Sequence, residues 1–264
     1  VTRAQQPAPF VADRDVTLYQ GDALETLRAL PDGCVDVVVT DPPYGETSLS
    51  WDVPAEDWLA LVDRLLKPTG SMWVFGSMRF LAPMVAACDA RQLGPWRFSH
   101  EVVWEKHNGS GFQSGRFRRV HEFAAHFYRG PWESVYRKQV VTMDATARVV
   151  RSKRRPTHTG HIDRTPYVSE DGGPRQMTTV IYCRSEHGRA IHPTQKPLGI
   201  IRPLLEYSCP QGGTVLDPFA GSASVGVAAQ QTGRKAILVE KDEVYCRLAA
   251  DRLSQLSLLA EASA

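Results

Sequence analysis

The sequence contains no apolar run long enough to cross a bilayer. Stretches such as Cys34 to Val39 and Ala236 to Val239 fall far short of the ~20 residues a spanning helix needs, so no membrane partner is expected. Cysteine is sparse: Cys34, Cys88, Cys183, Cys209 and Cys246 form neither a CxxC pair nor an even set, which excludes a disulfide scaffold. Val1 to Phe10 lack the apolar centre of a secretory signal, and a reduced, cytoplasmic protein without structural zinc is expected. No GxGxxG is present. Gly221 and Gly226 have P-loop spacing, but Val227 and Ala228 stand where such a loop needs Lys and Ser or Thr, which weakens nicotinamide and nucleoside-triphosphate readings. What is there is ordinary globular material: 264 residues, 42% hydrophobic and 23% charged, which fits one large domain with an insertion.

Charge of one sign is lacking overall, with 31 basic and 29 acidic residues, but not locally. Arg116 to Arg164 hold twelve Lys and Arg against Glu122, Glu133, Asp144 and Asp163, a surplus of +8 that leaves −6 for the rest. Arg116, Arg118 and Arg119 open this region; Arg148, Arg151, Lys153, Arg154 and Arg155 crowd into eight residues, with Trp132, Tyr136 and Tyr167 nearby. Such a mixture suits phosphates and bases, although a solvated loop face has the same composition.

Seven runs read as strands: Val16 to Tyr19, Val35 to Thr40, Met72 to Phe75, Glu101 to Trp104, Phe123 to Tyr128, Thr214 to Leu216 and Ala236 to Val239. Helical patterns lie between them at Ala23 to Leu30, Ala55 to Leu66, Arg79 to Gln92, Pro197 to Ser208, Ser224 to Thr232 and Glu243 to Leu258. Such alternation predicts an α/β fold with a parallel sheet covered on both faces. From Gly130 to Ile191 the rhythm gives way to Pro, Gly, Arg and Thr, and a stretch this long is expected to be an inserted recognition region. The expected organisation is therefore a catalytic half over 1–129, a recognition region over 130–190 and a second half of the same core over 191–264.

Chemistry is expected where strands end, because ligands of open α/β sheets bind at the carboxyl edge. Asp41, Pro42, Pro43 and Tyr44 directly follow Val35 to Thr40, and a chance DPPY has a frequency of roughly one in a thousand in such a chain. The two prolines stiffen the turn. The Asp41 carboxylate and Pro42 carbonyl can accept both hydrogens of an exocyclic amine, while Tyr44 stacks on the base that carries it. Two acceptors favour a pyramidal nitrogen whose lone pair faces an electrophile. A second turn, Asp217, Pro218, Phe219, Ala220, Gly221, Ser222, Ala223 and Ser224, follows another short strand and opens a helix. Its small residues let backbone approach a ligand, and the helix N-terminus favours an anionic group. Glu240 ends the next strand, a position that commonly serves ribose hydroxyls. Asp22 is either a helix N-cap or a contact to the adenine amine of the same ligand.

Two metal readings fail. His121 and His126 are five apart, so on a helix they point roughly 140° apart, and a strand is expected instead. His158 and His161 have ligand-like spacing but no Cys pair to complete a site. Trp51 and Asp52 either close over a bound base or begin the next helix.

DPPY, DPFAGSAS and the HPTQKP at His192 to Pro197 together resemble the S-adenosylmethionine-dependent DNA amino-methyltransferases. The order, tetrapeptide first, basic region next and small-residue turn last, resembles the circularly permuted β class. The resemblance implies a class I methyltransferase (Rossmann-like) three-layer fold with a seven-stranded, mostly parallel sheet. It implies S-adenosylmethionine held by Asp22, Asp41, Thr194, Gln195, Lys196, Asp217 to Ser222, Ser224 and Glu240, with the HPTQKP residues at the methionine end. It further implies a double-stranded DNA substrate whose target base is flipped out, and it allows a homodimer and an associated restriction endonuclease. DPPY resembles the N6-adenine enzymes, while N4-cytosine enzymes more often begin with Ser; N4 methylation is the alternative. Related Asn-Pro-Pro-Tyr enzymes modify glutamine amides, but Asp41, the motif order and the basic region stand against that reading. One departure is Ala223, where the family usually has Gly; if φ is positive there, cofactor affinity is reduced, and a DNA-binding protein without catalysis is the reading this feature favours.

Overall fold

The computed structural model describes residues 7–46, 48–55, 57–110, 115–150 and 167–261. The chain begins with β1 (Val11–Ala12), β2 (Val16–Gln20), α1 (Ala23–Ala29), β3 (Val35–Thr40), α2 (Trp58–Leu65), β4 (Leu66–Gly76) and α3 (Met78–Asp89). A long hairpin follows, β5 (Trp96–Ser110) and β6 (Arg119–Arg129). Then come β7 (Val141–Thr142), β8 (Arg148–Val150), β9 (Tyr167–Ser169), β10 (Arg175–Gln176), β11 (Val180–Tyr182), α4 (Leu198–Ser208), β12 (Thr214–Asp217), α5 (Ser224–Gln231), β13 (Lys235–Glu240) and α6 (Glu243–Glu261).

Two units are distinguished, 1–138 with 179–264, and Gln139–Thr178. The first is built on one sheet in the order β1-β2-β13-β12-β3-β4-β6-β5-β11. Strands β2, β13, β12, β3 and β4 run parallel, β6 is antiparallel to both neighbours, and β11 is parallel to β5. All seven expected strands are present, and the sheet has nine rather than seven because of β1 and β11, edge strands of two and three residues. Strand β3 is buried at every position, which is why VDVVVT shows no alternation. At its start Asp36 accepts from Lys67 Nζ (2.8 Å) and Thr214 N–H (2.8 Å), tying together the entries to β3, β4 and β12.

Chain direction across the sheet reverses beside β3. From β3 the chain passes through α2 to β4 on one side; from β12 it passes through α5 to β13 on the other. The gap between β3 and β12 is therefore a topological switch point, with its crevice at their carboxyl ends. Helix α2 starts at Trp58, not at the expected Ala55. The preceding loop is tied back instead, since Asp52 Oδ1 accepts from the N–H of Tyr44 (2.8 Å) and Gly45 (2.9 Å).

The second unit holds two short antiparallel ribbons, β7 with β10 and β8 with β9. A bidentate Arg175–Asp144 pair braces the first, through bonds of 3.1 Å and 2.6 Å. Among the described residues no helix is long and apolar enough to cross a membrane.

Candidate active site

Four parallel strands each deliver one acid to the same crevice: Asp22 just after β2, Glu240 at the end of β13, Asp217 at the end of β12 and Asp41 just after β3. All four line a cavity of about 870 Å³. Pro43, Thr194, Gln195, Lys196, Pro218 to Ser222 and Ser224 line it too, so two turns far apart in sequence meet there. Pro42 is buried behind the wall, and Tyr44 lies outside the lining with its ring stacked on Phe80 at a centroid separation of 5.0 Å.

The two oxygens of Asp41 have different surroundings. Oδ2 accepts from the Lys196 ammonium, while Oδ1 is buried and has no partner among the described residues. Burial pushes the Asp41 carboxyl up, and the adjacent Lys196 opposes that rise. Lys196 is itself buried, reaching the Thr194 carbonyl (3.4 Å) and Glu122 Oε2 (3.5 Å). Burial works against its charge, but Asp41 and Glu122 outweigh it and hold the ammonium above the usual lysine range. Glu122 is in turn paired with Lys106, which lies 4.6 Å over the Trp104 ring. Burial tends to raise Glu122, yet the two lysines leave its carboxyl below the ordinary value. The result is an alternating row of mostly buried charges, Asp41, Lys196, Glu122, Lys106. The Tyr44 hydroxyl is pushed up to about 12, first by burial and then by Asp41, so the ring stays neutral.

Asp217 turns Oδ1 toward Thr40 Oγ1 (2.9 Å) and the Phe219 N–H (3.1 Å), and burial raises it to about 7. Glu240 accepts from the N–H of Gly221 (2.8 Å) and Asp242 (2.8 Å), fixing the turn against β13. Asp22 proves to be an N-cap, accepting from the N–H of Leu24 (2.9 Å) and Glu25 (3.2 Å), while still lining the cavity. Arg252 Nη1 braces the turn from α6, through Ser222 O (2.9 Å) and Ser224 Oγ (2.9 Å).

Gly221 and Ala223 both have positive φ, 49° and 57°. The first is a residue that adopts this conformation freely; the second is not. Ala223→Gly is expected to raise unfolding stability by about 0.5 to 1 kcal/mol in chemical denaturation, because relief of left-handed strain exceeds the added backbone entropy. A loss of stability would show that the alanine is not strained.

Several site residues escape a sequence reading. His192 lies against Gly221, where an added Cβ would come within 3.2 Å of its ring, and it is packed between Trp51 (5.2 Å) and Tyr245 (4.3 Å). Burial, then Lys196, lowers it to about 4, so it is neutral near pH 7. Its place in HPTQKP was the available signal; for Glu122 and Lys106 there was none. Trp51 lines the cavity and does not begin a helix. Among the basic residues, Arg116, Arg118 and Arg119 are exposed at the entry to β6, with Phe117 fully exposed among them. Arg148 is exposed in the second unit, whereas Arg151, Lys153, Arg154, Arg155, His158 and His161 lie outside the described residues. His121 and His126 are on strand β6.

Comparison with known proteins gives a consistent picture. A family model described as DNA methylase, of the N6/N4 type, matches residues 35–251. The chain is 25% identical to the type II methyltransferase M.HinfI of Haemophilus influenzae, over 91% of this chain and 68% of that protein. Among solved structures it resembles an M1.HpyAVI–SAM complex, with a TM-score of 0.60, 23% identity and coverage of 90% of this chain and 100% of that one. It likewise resembles the PvuII DNA methyltransferase, described as cytosine-N4-specific, with a TM-score of 0.62, 17% identity and coverage of 95% and 90%.

Proposed function

The chain belongs to the N6/N4 DNA methylase family, and from that premise we propose that it transfers a methyl group from S-adenosylmethionine to the exocyclic N6 of a flipped adenine in duplex DNA. The observation that carries this reading is the buried, unpaired Oδ1 of Asp41, a residue that lines a cavity shared with the small-residue turn. The cavity has the size of a small-molecule site, and its four acids suit a ligand with cationic groups and hydroxyls. We assign the cofactor to Asp22, Thr194, Gln195, Asp217 to Ser222, Ser224 and Glu240, with Asp41 at the junction with the target base. Bound there, S-adenosylmethionine supplies a methyl group on a sulfonium, a good leaving group that needs no metal.

The protein's part is positioning and exclusion of water. Asp41 Oδ1 and the Pro42 carbonyl accept the two amine hydrogens, Pro43 keeps the turn rigid, and Tyr44, whose ring is stacked on Phe80, is the residue we assign to stack on the base. As the nitrogen–carbon bond forms and the carbon–sulfur bond breaks, the target nitrogen becomes cationic while still carrying both of its own hydrogens, and Asp41 is the adjacent acceptor for the proton it must then lose. Flipping the base costs a few kcal/mol, to be offset by stacking and phosphate contacts. For those contacts we assign Arg116, Arg118, Arg119, Arg148, Arg151, Lys153, Arg154 and Arg155, with 130–190 as the target-recognition region between the two parts of the core, 1–129 and 191–264. A homodimer and a partner restriction endonuclease are compatible with this role. Asp rather than Ser at position 41 favours adenine over cytosine.

Incubation with labelled S-adenosylmethionine and unmethylated genomic DNA, followed by digestion to nucleosides, tests the reading. Label in N6-methyladenine is the expected result. Label in N4-methylcytosine overturns the choice of base, and no label in any nucleoside overturns the reaction.

A further inference from the structure

The lysine of HPTQKP is placed to act on Asp41 rather than on the cofactor. A lysine ammonium has three N–H donors. Those of Lys196 have three acceptors within reach already: Asp41 Oδ2, Glu122 Oε2 at 3.5 Å and the Thr194 carbonyl at 3.4 Å. The side chain is 9% exposed and passes over the Phe75 ring at 5.4 Å. No donor is left for the carboxylate of a bound methionine moiety. We infer that Lys196, steadied from behind by Glu122, is a positioning residue for methyl transfer: it occupies one oxygen of Asp41, keeps that carboxylate charged, and leaves Oδ1 as the acceptor for the amine.

This inference rests on the reaction proposed above for the same site. Charged and titratable groups face Asp41 from every side: Lys196 before α4, Glu122 on β6, Lys106 on β5, Tyr44 on its own turn and Asp217 on β12. Lys196 and Lys106 favour the ionised carboxylate, while Glu122 disfavours it. Loss of Lys196 therefore moves Asp41 toward protonation, while loss of Glu122, which leaves two ammonium groups near one carboxylate, does not. A mere packing defect would not distinguish the two.

The test is a carbon NMR titration of protein labelled at the aspartate carboxyls, with Asp41 assigned by its absence in Asp41→Asn. The expected result is an upward shift of the Asp41 midpoint in Lys196→Met and no upward shift in Lys196→Arg or Glu122→Gln. Should the methionine variant not fold, Lys196→Gln, which removes the charge but keeps a donor, is read in the same way. In the methyl-transfer assay, Lys196→Met is expected to lose about tenfold or more in kcat near neutral pH, to recover toward alkaline pH, and to bind S-adenosylmethionine as wild type does in calorimetry. An unmoved Asp41 midpoint, or a loss confined to cofactor affinity, overturns the inference. The titration needs no DNA, so a wild-type protein inactive on DNA would sink the proposed reaction while the hold of Lys196 on the Asp41 carboxylate is still decided by the titration.

Discussion

Asp41→Ala is expected to lower kcat for methyl transfer by roughly 10²- to 10³-fold, the usual consequence of removing one preorganised hydrogen-bond group from a reacting centre. Cofactor binding, measured directly, should survive, because the turn from Asp217 to Ser224 and the acids Asp22 and Glu240 are untouched. Folding should survive as well, since Lys196 keeps Glu122 and the Thr194 carbonyl as partners. The more informative substitution is Asp41→Asn. In most sites an amide partly replaces a carboxylate by offering one acceptor oxygen. Here the Lys196 ammonium already points at the Oδ2 position and demands an acceptor there. The amide oxygen must turn to the lysine, which presents the NH₂ group to the hydrogens of the target amine, donor against donor. Asp41→Asn should therefore be no more active than Asp41→Ala. If the asparagine enzyme retained a large share of wild-type kcat, Lys196 would not be holding Oδ2 during turnover.

The parts of this site that could be read from sequence are those in which local physics and function coincide. Strand β3 announces itself because a fully buried parallel strand is a run of β-branched residues, and DPPY is conspicuous because it starts where that run stops. Other features are set by pairing partners far along the chain. Only Glu101 to Trp104 reads as strand, yet β5 runs from Trp96 to Ser110 because the hairpin pairs it along its length, from Trp96 against Arg129 to Glu105 against His121 and, after a shift of register, Ser110 against Arg119. That pairing, with β6 next to β4 and β4 next to β3, brings Glu122 and Lys106 toward the DPPY turn more than sixty residues earlier in the chain. No local periodicity encodes such an arrangement. The start of α2 fails for a related reason: helix propensity points to Ala55, but Asp52 spends Oδ1 on the Tyr44 and Gly45 N–H groups, and the loop it anchors becomes cavity wall.

Asp217 should make stability depend on pH in the direction opposite to that of a salt-bridged carboxylate. Its side chain is buried at the end of β12, burial raises it from 3.8 to about 7, and the bonds from Phe219 N–H and Thr40 Oγ1 only partly offset that rise. The unfolded chain gives up this proton near its ordinary value, whereas the folded chain keeps it to about 7. Between those limits the unfolded state binds fewer protons, so stability falls as pH rises; it is highest below the unfolded value and levels off above the folded one. The full span amounts to about 4 kcal/mol for a shift of this size. Asp217→Asn keeps an acceptor for Thr40 and Phe219 but cannot ionise. Denaturant unfolding at about pH 5 and about pH 8 should therefore show the wild type losing about 2.5 kcal/mol of that span relative to the asparagine variant, with contributions from all other groups cancelling in the difference. Parallel stability curves for the two proteins would mean that Asp217 is ionised throughout. The same shift explains why an acid can be tolerated at the centre of the switch point beside Asp41 and Glu240, both of which raise it further: near neutrality the folded protein holds Asp217 with its proton about half in place, so the crevice carries less negative charge than its four acids suggest.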